Sequence, residues 1–261
     1  MQEKLLYPRV SVVIPALNEA RNLRHVLPLI PRFVHEIILV DGYSTDDTAT
    51  VVQQLRPSIR PPIHIINQAG NGKGNALQIG LAASAGEIIV TLDADGSTDP
   101  REIPLFVEAL NRGNDFAKGS RCILGGGSHD FTLLRRLGNY GLLKLVNVLF
   151  GARFSDLCYG YNAFWKYCLD YMEIDCDGFE VETLIHLRVH KANLRIIEVP
   201  SVEYRRIHGK SNLNAFRDGW RVLRTIVRER SKNCSPLPQP RSRQNPYIIT
   251  DPSSAPEEIV L

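Results

Sequence analysis

Residues 93–99 read Asp-Ala-Asp-Gly-Ser-Thr-Asp, and Asp93 and Asp95, one residue apart, could place carboxylate oxygens around one hard cation. Mg²⁺ and Mn²⁺ take such ligands and also bind phosphate oxygens, so the pair suits a metal carrying a diphosphate better than a bare metal. An isolated D-x-D is equally an acidic turn, because Asp, Gly, Ser and the following Pro100 all favour turns. What singles this one out is its position. Residues 88–92 are a β-branched, apolar run too short for a typical helix, so the carboxylates emerge where a strand leaves the core. Asp41 stands in the same relation to the apolar run 36–40. Cations are available to meet a diphosphate. Lys73 sits in the glycine cluster 70–74, and Arg205, Arg206 and Lys210 lie in one basic stretch that is otherwise an exposed loop. The cluster is neither a dinucleotide fingerprint nor a P-loop, since Lys73 is followed by glycine rather than Ser or Thr.

The elements that must position these residues alternate. Strands are expected at 10–15, 36–40, 63–67, 88–92, 115–119 and 194–199. Helices are expected at 16–30 (with Asn18 as cap), 48–55, 75–84, 103–111, 131–150, 179–190 and 214–230. Such alternation implies βαβ crossovers and a mostly parallel sheet with helices on both faces. In such sheets ligands bind at the carboxyl ends of the strands. Asp41, Asp93 and Asp95 all fall at such ends. The helix 131–150 is apolar nearly all round. Burial against the rest of the protein is its first reading and partial seating on a membrane surface the second.

At 261 residues the chain can bury a real core. With 44% hydrophobic and 23% charged residues it is ordinary for a globular protein, and a net charge of +3 gives no argument for nucleic acid. Its five scattered cysteines contain no C-x-x-C, which suits free thiols in a reducing compartment rather than a disulfide framework or zinc site. The first residues lack the apolar core of a signal peptide, and no uninterrupted run of about 18 apolar residues is present. The expectation is a cytoplasmic protein, with peripheral contact at the cytoplasmic membrane face as an extension. Residues 231–261 are rich in Pro and Ser without periodicity and are expected to be a disordered tail.

Four stretches taken in order, VVIPALNE (12–19), VDGYSTDDT (40–48), GNGKGNALQIGL (70–81) and TLDADGSTDP (91–100), resemble family-2 glycosyltransferases of the GT-A fold. The likeness is to polyprenyl-phosphate and dolichol-phosphate mannosyl- or glucosyltransferases, over roughly residues 8–230. It implies a Rossmann-like nucleotide-diphospho-sugar transferase domain at 1–230. A nucleotide-sugar-binding half would span 8–120 and an acceptor-binding half 121–230. By the same resemblance Pro15, Asn18 and Glu19 line the nucleotide pocket, Asp41 meets the base, and Lys73 and Arg121 (in Gly119-Ser120-Arg121) serve the donor. Asp93 and Asp95 hold Mg²⁺ or Mn²⁺, with Ser97 where the relatives carry a glutamine. Arg135, Asn139, Arg206, Lys210 and Ser211 face an acceptor phosphate, although Asn212 replaces the relatives' lysine. Asp156 opens a stretch near the acceptor, and 179–182 resembles a segment closing over the sugar.

The implied reaction is inverting, metal-dependent transfer of a hexose from a UDP- or GDP-sugar to a lipid phosphate. Asp95, Asp156 and Arg206 are the catalytic candidates, and a homo-oligomer is compatible with the family. A hydroxyl acceptor remains the alternative and would require a carboxylate base, Asp156 or Glu182. Two other classes stay open. A nucleotidyltransferase would need a basic glycine-rich N-terminal phosphate loop, where this chain has VVIPALNE. A non-catalytic nucleotide-sugar-binding module would need the same pocket.

Overall fold

The structure, a computed structural model, describes residues 8–210 and 213–232. Ser211, Asn212 and nearly all of the expected tail lie outside the described residues. The strands are β1 (Val10–Ala16), β2 (Glu36–Asp41), β3 (Ile63–Asn67), β4 (Ile88–Thr91), β5 (Phe116–Ser120), β6 (Gly127–Ser128), β7 (Asn162–Trp165), β8 (Ile196–Pro200) and β9 (Val202–Glu203). The α-helices are α1 (Ala20–Val26), α2 (Thr48–Leu55), α3 (Gly72–Ala83), α4 (Ile103–Asn111), α5 (Leu133–Phe150), α6 (Val181–Lys191) and α7 (Ala215–Ser231).

Seven strands form one sheet in the order β3-β2-β1-β4-β7-β5-β8. All of its pairings are parallel except those of β7, which runs antiparallel between β4 and β5. β1, β2 and β4 are buried almost throughout, as their near-continuous Val and Ile content requires of strands covered on both faces. Each fully buried Val or Ile contributes roughly 1.5–3 kcal/mol of transfer free energy, so these runs fix the register. The first three strands wind outward from β1 through α1 and α2, and the chain then returns to place β4 on the other side of β1. That reversal opens a crevice at the carboxyl ends of β1 and β4, where Pro15, Asp93 and Asp95 emerge.

The sequence reading missed β7. Three of its four residues, Asn162, Ala163 and Phe164, fall within the stretch that Asp156 opens, and a strand this short offers too little alternation to be recognised. Two helix expectations also change. α1 is shorter than 16–30: it begins at Ala20 and gives way to a 3₁₀ turn around Pro28. Asn18 does not cap it. The residue adopts φ 58°, and its Oδ1 accepts from the backbone N–H groups of Thr45 and Asp46, tying the loop after β1 to the loop after β2. α3 starts at Gly72, three residues early, because Gly72 and Gly74 pass so close to the Cys176–Asp177 backbone that an added Cβ at either would lie 2.1 Å from a carbonyl oxygen.

The burial expected for 131–150 is corrected. Only Asn139, Leu143 and Val146 of α5 are buried, whereas Leu133, Leu134, Leu137, Tyr140 and Val148 are exposed. The main core is already closed by the sheet and by α1–α4 and α6. α5 therefore packs on a second, small cluster with Phe154, Leu157, Leu187, Val222 and Ile226, and one face remains uncovered. Besides that apolar contact, α7 is tied to α6 by charge, with Arg188 and Lys191 of α6 both reaching the buried Glu229. Among the described residues no helix is long and apolar enough to cross a membrane.

Candidate active site

The loops at the carboxyl ends of the strands enclose a cavity of about 890 Å³ that continues between α5 and α7. β1 delivers Pro15, Leu17 and Glu19 to it, β2 delivers Gly42, β3 leads to Gln68, and α3 contributes Lys73. Asp41 itself is buried just behind Gly42. Its Oδ2 accepts from the Ser44 N–H, while Oδ1 has no hydrogen-bond partner among the described residues. A buried acceptor left without a donor costs roughly 1–3 kcal/mol, so the atom fits a ligand N–H. Asn18 does not line the cavity; its work is the loop tie already described.

Asp93 and Asp95 both line the cavity, each beside a cation from a distant part of the chain. Lys73 Nζ lies 2.6 Å from Asp93 Oδ1 and 2.7 Å from Glu182 Oε1. Arg206 donates to Glu19 Oε1 at 2.7 Å and pairs with Asp95 Oδ2 at 3.2 Å. The loop of the acidic pair is shaped by its own backbone, since Ser97 N–H donates to Asp95 Oδ1 at 2.9 Å. The segment after β9 completes it: Tyr204 N–H donates to the Ser97 carbonyl and Ile207 N–H to the Asp95 carbonyl. Burial pushes the Glu19 carboxyl above its ordinary range, against the pull of Asn22 and Arg206. Burial likewise raises Glu182 against the pull of Lys73, and the two carboxylates hold the Lys73 ammonium firmly protonated despite its own burial. Gly160 makes room for this trio, because an added Cβ would lie 2.8 Å from both Lys73 Nζ and Glu182 Oε1.

On the other side, Arg121 leaves the end of β5 and is almost wholly buried. It donates from Nε to Asp156 Oδ2 at 2.7 Å and from Nη2 to Asp156 Oδ1 at 2.9 Å, a bidentate pair, and from Nη1 to Glu203 at 3.0 Å. The rings of Phe131 and Tyr159 flank its guanidinium, with centroids at 4.1 and 4.7 Å. Asp156 is buried behind Arg121 and does not line the cavity, and the guanidinium holds its carboxyl down to about 2 despite the burial. A carboxylate so clamped is a weak base, and its two oxygens hold the Arg121 guanidinium in place. Arg135 does line the cavity, paired with Asp130 at 2.7 Å. Asn139 lines it too, its Oδ1 accepting from Cys158 N–H. Lys210 is exposed outside the lining, and Ser211 lies outside the described residues.

Sequence reasoning did not single out Asp130, Arg217 or Arg221, all of which line the cavity. Asp130 carried no motif, and the two arginines were absorbed into the basic face of a helix. Their role depends on where α7 docks, which no local pattern records.

The donor set at the crevice is hard carboxylate oxygen, which suits Mg²⁺ or Mn²⁺ completed by phosphate oxygens. The family model for Glycosyl transferase family 2 matches residues 11–169. The chain is 29% identical over 227 residues to the dolichol-phosphate mannosyltransferase of Pyrococcus furiosus, covering 84% of this chain and 63% of that one. It is 27% identical over 232 residues to glycosyltransferase AglJ of Haloferax volcanii, covering 87% and 74%. The chain thus spans less than two thirds of the Pyrococcus protein's length. Among solved structures it resembles glucosyl-3-phosphoglycerate synthase from Mycobacterium tuberculosis in complex with Mn²⁺, UDP and glucosyl-3-phosphoglycerate. That match has a TM-score of 0.67 at 24% identity over 87% of this chain and 82% of that one. The same synthase with Mg²⁺ and UDP matches at a TM-score of 0.69, 23% identity, 87% and 81%. These likenesses, with the seven-stranded sheet, show the GT-A fold.

Proposed function

The chain belongs to glycosyl transferase family 2, and on that premise we propose that it transfers a hexose, mannose or glucose, from a UDP- or GDP-sugar to a polyprenyl phosphate with inversion. The observation that carries this acceptor is the state of the two carboxylates that could deprotonate a hydroxyl. Asp156 is clamped by Arg121, and Glu182 is committed to Lys73 at 2.7 Å. A lipid phosphate is already ionised near neutral pH and needs neither.

The donor nucleotide would lie along the ends of β1–β3, with its base against Asp41. Asp93 and Asp95 would hold Mg²⁺ or Mn²⁺, with Ser97 beside them, and the metal when bound supplies charge neutralisation to the departing diphosphate. Lys73 and Arg206 stand beside the same carboxylates and add fixed positive charge there. Arg121, braced by Asp156, Phe131 and Tyr159, is held at one orientation, so it stabilises developing charge without reorganising. Arg135 and Asn139 would orient the acceptor phosphate toward the sugar, where positioning supplies much of the acceleration. Leu134 and Phe216 line the cavity while remaining exposed, so apolar side chains stand at its mouth. With Leu133, Leu137 and Trp220 on the same two helices, and arginines beside them, this rim suits peripheral contact with an anionic membrane.

A second reading, transfer to a hydroxyl of a small molecule or saccharide, rests on Glu182, which faces the cavity with a carboxyl raised by burial. The deciding experiment supplies radiolabelled UDP- and GDP-hexoses with either a lipid extract or soluble sugars. Glycosylated lipid phosphate, made at a much reduced rate by Arg135→Ala, is the expected product. Product from neutral hydroxyl acceptors alone, abolished by Glu182→Gln, would overturn the lipid-phosphate reading.

A further inference from the structure

Both members of the acidic pair already carry an internal counter-ion. The ammonium of Lys73 sits on Asp93 and the guanidinium of Arg206 on Asp95, and each cation is shared with a second carboxylate, Glu182 or Glu19. Neither arrangement is a surface accident. Lys73 is fixed in the space left by Gly160, with the Phe179 ring on one side. Arg206 is largely buried, and its Nε has no hydrogen-bond partner among the described residues, which leaves one donor for an incoming anion. Among the described residues no group of three or more His, Cys, Asp or Glu side chains is arranged to hold a metal ion.

We infer that Lys73 and Arg206 are resident counter-ions that make divalent-metal binding at Asp93 and Asp95 conditional on a nucleoside diphosphate. A bare divalent cation must take carboxylate oxygens from two cations that then remain beside it, like charge against like charge in a partly desolvated site. A metal that arrives with a diphosphate brings its own anions. Lys73 and Arg206 can then exchange carboxylate for phosphate oxygens and keep their charge-assisted hydrogen bonds. Metal and nucleotide therefore raise each other's affinity, and the coupling is reciprocal. The device also keeps the acidic pair from capturing stray cations. It rests on the metal–nucleotide donor and is independent of the acceptor.

The test is binding of Mn²⁺ to the full chain, read from the electron paramagnetic resonance of the hydrated ion, alone and with saturating UDP or GDP. The wild-type protein should take bare Mn²⁺ weakly, and at least about tenfold more tightly with the nucleotide it accepts, one decade of affinity. Lys73→Met and Arg206→Met should each tighten bare Mn²⁺ binding by about tenfold and shrink the nucleotide's enhancement by a similar factor. Should Lys73→Met fail to fold around an unpaired Glu182, the double variant Lys73→Met/Glu182→Gln carries the same expectation for Mn²⁺, and Arg206→Met tests it independently. A purely structural role for the two cations gives another outcome: a lower Tm with bare Mn²⁺ binding unchanged or weaker, which overturns the inference. Wild-type binding as tight without nucleotide as with it overturns it too. Absence of Mn²⁺ binding with either nucleotide removes the metal–nucleotide donor as well, a distinguishable result.

Discussion

The β1–β4 side of the cavity and the α5–α7 side are built by different means. On the first, Pro15, Glu19, Asp93 and Asp95 lie at or just past the ends of strands buried in the main core, and the loops are cross-tied by Asn18, Thr48 and Gln68. On the second, a small apolar cluster supports two helices whose outer residues are bare. Leu133, Phe216 and Trp220 are 74%, 79% and 61% exposed. Buried ion pairs add to that cluster, Arg121 on Asp156 and Arg188 and Lys191 on Glu229. The difference teaches where this fold keeps its constant and its adjustable parts. A strand end cannot move without moving the core, whereas a helix held by charge and a few apolar contacts can change its surface and leave the core in place.

The sharpest way to break this comparison is Arg121→Ala. It would strand Asp156 in a buried site without its cation, and such losses cost about 3–5 kcal/mol, or a fall in Tm on the order of 10 °C. A Tm within two degrees of wild type, by calorimetry, would mean that charge is not what orders the α5–α7 side. Next in size, Asp95→Asn should keep the melting curve yet lower turnover by at least about a hundredfold, since one charge on the diphosphate clamp is gone. Full activity of that variant, or of the wild type in EDTA, would remove the metal from the donor side. Arg135→Ala should divide the halves cleanly. Loss of a charge-assisted hydrogen bond of about 1.5–3 kcal/mol lowers kcat/KM for acceptor by roughly ten- to a hundredfold, while nucleotide affinity measured by calorimetry stays put.

Acid should separate the same two regions. The Asp156 carboxyl is lowered from 3.8 to about 2 in the folded protein, so the unfolded chain binds its proton more readily. Its stabilisation, about 2 kcal/mol, is therefore complete above roughly pH 4 and is lost as pH falls through the folded value. Unfolding measured from pH 5 down to 2 should lose this contribution in wild type and show less of a fall in Asp156→Asn. The smallest expected effect is on stability in Phe216→Ser/Trp220→Ser. These exposed side chains should each cost no more than about 0.5 kcal/mol. Sedimentation with anionic vesicles should nonetheless fall markedly, and undiminished co-sedimentation would place the membrane contact elsewhere.

The same contrast explains what could be read from the sequence. Asp41, Asp93 and Asp95 were legible because a β-branched run that stops at an Asp or Gly marks a strand's carboxyl end, and a parallel sheet gathers those ends. Arg121 was found through the resemblance carried by Gly119-Ser120-Arg121, whereas its pairing with Asp156, a candidate base for a hydroxyl acceptor, was not legible, because no local pattern reports a guanidinium 35 residues away. α5 was misjudged for a related reason. Composition says how much apolar surface a helix has, and only the packing of its neighbours says how much of it is covered. Lys73 was recognised as a pocket cation, while its bridge to Asp93 and Glu182 depends on the approach of α6.

β7 carries a consequence for how the chain is made. It sits between β4 and β5, yet it is synthesised about 45 residues after β5. Until then β4 and β5 cannot be joined, and each presents an unpaired edge of the kind that recruits strands from other chains. The nascent protein emerging from a ribosome must hold these two edges apart while α5 passes by, which puts these non-local pairings late in assembly. A fragment ending after β5 would thus contain the residues of the nucleotide crevice and still lack the strand that sews its sheet together. Substitutions in Asn162–Trp165, none of which lines the cavity, are accordingly expected to show first as poor yield and aggregation during expression, before any change in catalysis is seen.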